Sequence, residues 1–137
     1  SKLAKVKVKR EYASQLPHIQ AYGSELNQVW TNLIDNAADA VEDKPGAEII
    51  IRTQYLDDWI QVEIEDNGPG IPAEIQSRIF DPFFTTKKEG EGTGLGLSIV
   101  YGVVNNHGGK IRAESQENEG TVFILNFPVL SMEGPHG

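Results

Sequence analysis

The sequence predicts an α+β two-layer sandwich, with a sheet on one side and helices sharing one of its faces. Three observations predict it. Apolar alternation places strands in adjacent pairs, 49–55 with 59–65 and 110–115 with 121–127, so each pair closes as a hairpin. The two long stretches of helical periodicity, 24–42 and 95–106, do not alternate one for one with strands, as a doubly wound nucleotide fold requires. The 137 residues, 39% hydrophobic and 23% charged, suffice for one packed domain and fall short of two.

At the start, Val6-Lys7-Val8-Lys9 alternates as a strand with one wet face, and five of the twelve basic residues cluster there (Lys2, Lys5, Lys7, Lys9 and Arg10). This is either a solvated edge strand whose lysines discourage pairing or a nucleic-acid arm, and the acidity of the remaining chain favours the edge strand. Gln15-Leu16-Pro17 is a break, and 18–22 reads as a short strand. Ser24 is the expected N-cap of a helix whose Leu26, Val29 (or Trp30), Leu33, Ala37 and Val41 recur at helical spacing to about Glu42. Asp43-Lys44-Pro45-Gly46 stops that helix. The strand from Ile49 to Tyr55 is β-branched, and Asp57-Asp58 turns it into one whose Ile60, Val62 and Ile64 face inward. Asp66-Asn67-Gly68-Pro69-Gly70-Ile71-Pro72 is irregular, 73–79 allows two helical turns, and 81–92 is a loop. The helix at 95–106 is apolar on most sides and so buried, and Gly108-Gly109 ends it. Domain bounds of 1–130 are expected, with 131–137 a tail lacking any pattern.

Composition removes several functions. A formal net charge of −8 opposes binding to a phosphate backbone, so no nucleic-acid partner is expected. The absence of cysteine excludes disulfides, thiol nucleophiles and cysteine-ligated zinc. His18, His107 and His136 stand apart without ligand spacing, against a histidine metal site. No apolar run approaches the roughly 18–20 residues that span a bilayer, so a cytoplasmic location without direct membrane contact is expected, with any parent protein free to be anchored elsewhere.

Four stretches carry chemistry, and each is ambiguous alone. Asn32 and Asn36, four apart on one helix face beside Leu33 and Ala37, offer neutral oxygens to a hard cation or ligand, or simply form a wet face. Asp66, ending an inward-facing strand ahead of Gly68 and Gly70, could accept from an exocyclic amine such as that of adenine, or the stretch is only a turn. Glycines alternate at 90, 92, 94 and 96 and run into a helix start, an arrangement that binds phosphate through free N–H groups, yet it matches neither a P-loop nor a dinucleotide fingerprint. Phe80-Asp-Pro-Phe83-Phe84 precedes Lys87-Lys88 in a loop, where two aromatics could pin a lid and a lysine reach a terminal phosphate, or the lysines form a surface pair.

The order of these stretches is more specific than any one of them. Asn32-Leu-Ile-Asp-Asn36-Ala, Asp66-Asn-Gly-Pro-Gly70, Phe80-Asp-Pro-Phe-Phe84, Gly92-Thr-Gly-Leu-Gly-Leu97 and Gly120-Thr121 resemble the N, G1, F, G2 and G3 boxes of the ATP-binding catalytic domain of sensor histidine kinases. That domain lies within the wider ATPase superfamily of gyrase, Hsp90, histidine kinases and MutL. The resemblance spans about Lys5 to Phe127, and the stretches 81–87 and 92–98 are most similar to nitrogen-regulation-type kinases.

The resemblance implies a Bergerat-type ATP-binding fold, a mixed, mostly antiparallel sheet of about five strands covered on one face by three helices. It implies Mg²⁺ and ATP as cofactors, with Asn36 on the metal and Asn32 in the surrounding polar network. Asp66 would read the adenine amino group, directly and through water shared with Thr121, and Gly68, Gly70 and Ile71 would line the base pocket. Phe83 and Phe84 would seat a lid expected to be mobile without nucleotide, while Lys87 (also the one catalytic candidate), Thr93 and the N–H groups of Gly94, Leu95, Gly96 and Leu97 would meet the phosphates. The implied activity is donation of the γ-phosphoryl group to a histidine on an upstream dimerisation domain, with a response regulator served by the parent kinase. The alternative is a nucleotide-sensing regulatory module without kinase activity.

Two departures matter. Where the ATP-hydrolysing relatives and the serine kinases carry a glutamate base, this chain has Asn32, whose amide cannot take a proton at neutral pH. The helical domain bearing an acceptor histidine does not lie within these residues, and His107 in Asn-Asn-His-Gly-Gly is not in an acceptor-type sequence. The chain alone is therefore expected to be monomeric, to bind ATP and not to autophosphorylate.

Overall fold

A computed structural model of the chain describes residues 7–11, 23–42, 44–56, 58–84 and 96–129. Among the described residues, five strands form one sheet: β1 (Lys7–Glu11), β2 (Glu48–Leu56), β3 (Trp59–Asp66), β4 (Lys110–Gln116) and β5 (Gly120–Pro128). Their spatial order is β1-β2-β3-β5-β4. Only β1 runs parallel to its neighbour, with Val8 opposite Ile49, and the other pairings are antiparallel. The sheet is thus mixed and mostly antiparallel, and both predicted hairpins are present. The lysine-bearing strand lies at an edge, where its charges deter further pairing.

Among the described residues, two α-helices, α1 (Gly23–Ala40) and α2 (Gly96–Asn106), and a 3-10 helix (Ala73–Arg78) cover one face. On α1, Val29, Leu33 and Ala37 recur every fourth residue and are all but inaccessible. They meet Val100, Val103 and Val104 of α2 and the inward row of the sheet, Ile49, Ile64, Phe123, Leu125 and Phe127. Trp30 packs edge-on against Phe127, and Phe80 bridges Tyr101 and Phe123.

Some boundaries differ from expectation. The first helix begins at Gly23, one residue ahead of the expected cap position at Ser24. It ends at Ala40, although the Val41 N–H still reaches the Ala37 carbonyl at 3.3 Å, a frayed last turn. Residues 73–78 wind as a 3-10 helix because their N–H groups are taken at the shorter spacing, as Ile75 N–H donates to the Pro72 carbonyl. The strand expected at 18–22 and the tail at 131–137 lie outside the described residues. Among the described residues, no helix is long and apolar enough to cross a membrane.

Candidate functional site

Strand alternation fixes the first functional side chain. Ile60, Ile64 and Asp66 share the helix-facing side of β3, so an acid ends a row of aliphatics, and the cross-strand register sets Thr121 directly opposite. Asp66 is only 3% exposed. Its Oδ1 accepts the Gly68 N–H at 2.9 Å, and the Thr121 backbone N–H supplies a second bond. Burial outweighs both and pushes its pKa up to about 6, with the charge on Glu65 adding to the rise. Two of the carboxylate's acceptor positions are therefore filled by backbone, and the remainder suit a donor from outside.

The segment after Asp66 is held from three directions. Asn67 staples it to the start of β2, accepting the Glu48 N–H and donating to the Gly46 carbonyl, each at 2.9 Å. The β4–β5 turn meets it next, where Asn118 N–H donates to the Pro69 carbonyl at 2.6 Å. Gly70 sits at φ +78° with the Gln116 carbonyl so close that no Cβ would fit. Ile71 N–H donates to Ser115 Oγ at 2.7 Å, and the Gln76 amide donates to the Ile71 carbonyl at 2.8 Å. Gly120 opens β5 at φ +117° against the Asp66 carbonyl, again leaving no room for a side chain. Asp66, Gln76, Ser115, Gly120 and Thr121 border a cleft of about 470 Å³.

The other predicted residues that the structure describes do not line this cleft. Asn32 and Asn36 lie half-buried one turn apart on α1. The Asn32 amide donates to the Gly96 carbonyl at 3.4 Å, tying α1 to the first residue of α2. Gly96 and Leu97 form the first turn of α2, whose leading N–H groups have no intrahelical acceptor. Leu97 also packs against the core. The structure divides the aromatic pair: Phe84 is half-buried under the Arg78 guanidinium, 4.7 Å from its ring centre, whereas Phe83 is 72% exposed at φ +67°. Lys87, Thr93, Gly94 and Leu95, and with them the expected lid, lie outside the described residues. His107 is tied to the end of α2 through Nδ1 and the Val103 carbonyl at 2.8 Å, in keeping with a structural role.

Sequence reading passed over Asn67, Gln76 and Ser115. A signal existed for Ser115: Ile111, Ala113 and Ser115 form the inward row of β4, and a hydroxyl ending such a row needs a partner.

Residues 22–131 match the family described as histidine kinase-, DNA gyrase B-, and HSP90-like ATPase. The chain is 38% identical over 143 residues to the sensor kinase CckA of Brucella abortus (strain 2308), covering 93% of this chain and 15% of that protein. It is 37% identical over 134 residues to the sensory histidine kinase/phosphatase NtrB of Rhizobium leguminosarum bv. phaseoli, covering 88% of this chain and 34% of that one. The chain thus spans a minor part of these curated relatives. Among solved structures, the catalytic domain of histidine kinase ThkA in a nucleotide-free form superposes with a TM-score of 0.81 at 36% identity, covering 93% of this chain and 84% of that one.

Proposed function

The chain belongs to the histidine kinase-, DNA gyrase B- and HSP90-like ATPase family, as an ATP-binding catalytic domain of the sensor histidine kinase type, and from that premise we propose that it binds Mg-ATP beside Asp66 and passes the γ-phosphoryl group to a histidine on a separate dimerisation domain. The buried Asp66 carboxylate, set opposite Thr121 with acceptor positions to spare, carries this reading. Asp66 takes the adenine amino group, Thr121 shares the contact through water, and Gly68, Gly70 and Ile71 flank the ring.

The amide oxygen of Asn36 suits Mg²⁺, a hard cation that favours oxygen donors and keeps phosphates and water among its ligands. When bound, Mg²⁺ neutralises charge on the phosphate oxygens. The N–H groups at the start of α2 and Lys87 hold the phosphates in line. Asn32 supplies no base, and none is needed where the acceptor imidazole is itself a nucleophile.

Calorimetric titration of ATP, with Mg²⁺ and in excess EDTA, tests the reading beside an Asp66→Ala control. Micromolar to sub-millimolar binding that requires both Mg²⁺ and Asp66 is expected. Equal affinity in EDTA would remove Asn36 from the metal, and no binding in either condition would refute the nucleotide site.

A further inference from the structure

We propose that Ser115 is a positioning residue that sets the hydrogen-bond polarity of the base pocket and thereby its preference for a 6-amino over a 6-oxo purine; the proposal rests on the nucleotide reading above. Ser115 Oγ has three neighbours: the Ile71 N–H at 2.7 Å, the Gly120 carbonyl at 2.9 Å and Thr121 Oγ1 at 2.9 Å. A hydroxyl has one proton and two lone pairs. The Gly120 carbonyl can only accept, so it takes the Ser115 proton. The Ile71 N–H can only donate, so it occupies one lone pair. The Thr121 hydroxyl must then donate into the other, and its proton is spent on Ser115.

What Thr121 retains for the cleft is acceptor capacity alone. Asp66, its cross-strand partner, also presents only acceptors once ionised. The two groups together favour a donor such as an exocyclic amine and oppose a carbonyl oxygen. A water lodged between them would spend both protons on these acceptors and offer the base only its oxygen, so the polarity passes through water unchanged. Ser115 touches no base in this scheme; it acts by holding one proton of Thr121 away from the pocket.

The test is calorimetric binding of Mg-ATP and Mg-ITP to the full chain at about pH 8, where Asp66 is charged. ITP keeps the triphosphate and replaces the 6-amino group with an oxo group. Ser115→Ala releases the Thr121 proton, and the ratio of ATP to ITP affinity is expected to narrow about fivefold, the size of one neutral hydrogen bond. Ser115→Thr, which keeps the hydroxyl on a strand that tolerates β-branching, is expected to restore the ratio. In a Thr121→Val background, Ser115→Ala is expected to leave the ratio unmoved. Equal weakening of both nucleotides by Ser115→Ala, or a narrowing that persists undiminished with Thr121→Val, would overturn the proposal, since a loosened Ile71 loop would do either. Should Ser115→Ala fail to fold, Ser115→Cys supplies the same comparison with a weak S–H donor, and an unchanged ratio there overturns the proposal too. Failure of the unmodified chain to bind ATP would instead reject the nucleotide reading itself.

Discussion

Asp66 holds its proton up to about pH 6 in the folded chain and releases it near its ordinary value of 3.8 when unfolded. Between those values the native state binds more protons, so this group's contribution to stability is fully present below about pH 4 and is lost as pH rises through about 6. The shift of about two units corresponds to a cost on the order of 2–3 kcal/mol at neutral pH. Asp66→Asn removes the charge and keeps the acceptor for Gly68, so its melting temperature is expected to gain on the parent progressively across that interval, as thermal melts at stepped pH would record. An amine donor is held more strongly by the charged form than by the neutral acid, so ATP affinity is expected to weaken as pH falls through about 6, with the titration midpoint read by calorimetry. On the proposed reading the same carboxylate burdens the fold and serves the ligand, a trade of stability against function.

Among the elements, β5 begins under the tightest constraint. Gly120→Ala places a methyl group at φ +117° against the Asp66 carbonyl and is expected to cost about 2 kcal/mol or more in denaturant unfolding. On the sheet face away from the helices, Arg52 of β2 binds Glu11 of β1 at 3.0 Å and Glu63 and Glu65 of β3 at 3.4 and 2.7 Å. The bond to Glu65 raises the guanidinium pKa above its ordinary value. Arg52→Ala leaves three carboxylates without their shared cation and is expected to cost about 1–2 kcal/mol at low ionic strength, less in salt, as paired melts would show. Alternation and helical spacing located every described element within a few residues, because those signals are local. They did not reveal that β5 enters between β3 and β4, or that β1 lies parallel beside β2, because a strand's partner is chosen by distant packing. The boxes picked out Asp66, Gly120 and Thr121 of the residues that border the cleft, while Ser115 and Asn67 act through bonds to backbone that is remote in sequence, 44 residues away for Ser115 and Ile71.

At the scale of the molecule, the proposed function asks a chain with net charge −8 to receive a highly charged anion. General repulsion is screened by salt, while the proposed contacts at α2 and to the metal would be local. Chelating Mg²⁺ is therefore expected to weaken ATP binding more severely at low than at high ionic strength, which titrations in EDTA at two salt concentrations would reveal. Phosphoryl transfer is expected only when a histidine-bearing helical domain is added in trans, with radiolabel from γ-phosphate as the readout.

The insertion of β5 between β3 and β4 also bears on how the chain reaches its structure. The first hairpin can form early, but it then presents the β3 edge, with Ile60, Val62 and Ile64 in a row, to solvent until the last described strand arrives to seal it. Pairing of Asp66 with Thr121 closes a long loop, so folding is expected to be slow for a domain of this size, and the intermediate is the species most exposed to self-association. Both halves of the proposed base pocket come together in that one late step, so nucleotide is expected to leave the early stages untouched and to trap the finished sheet.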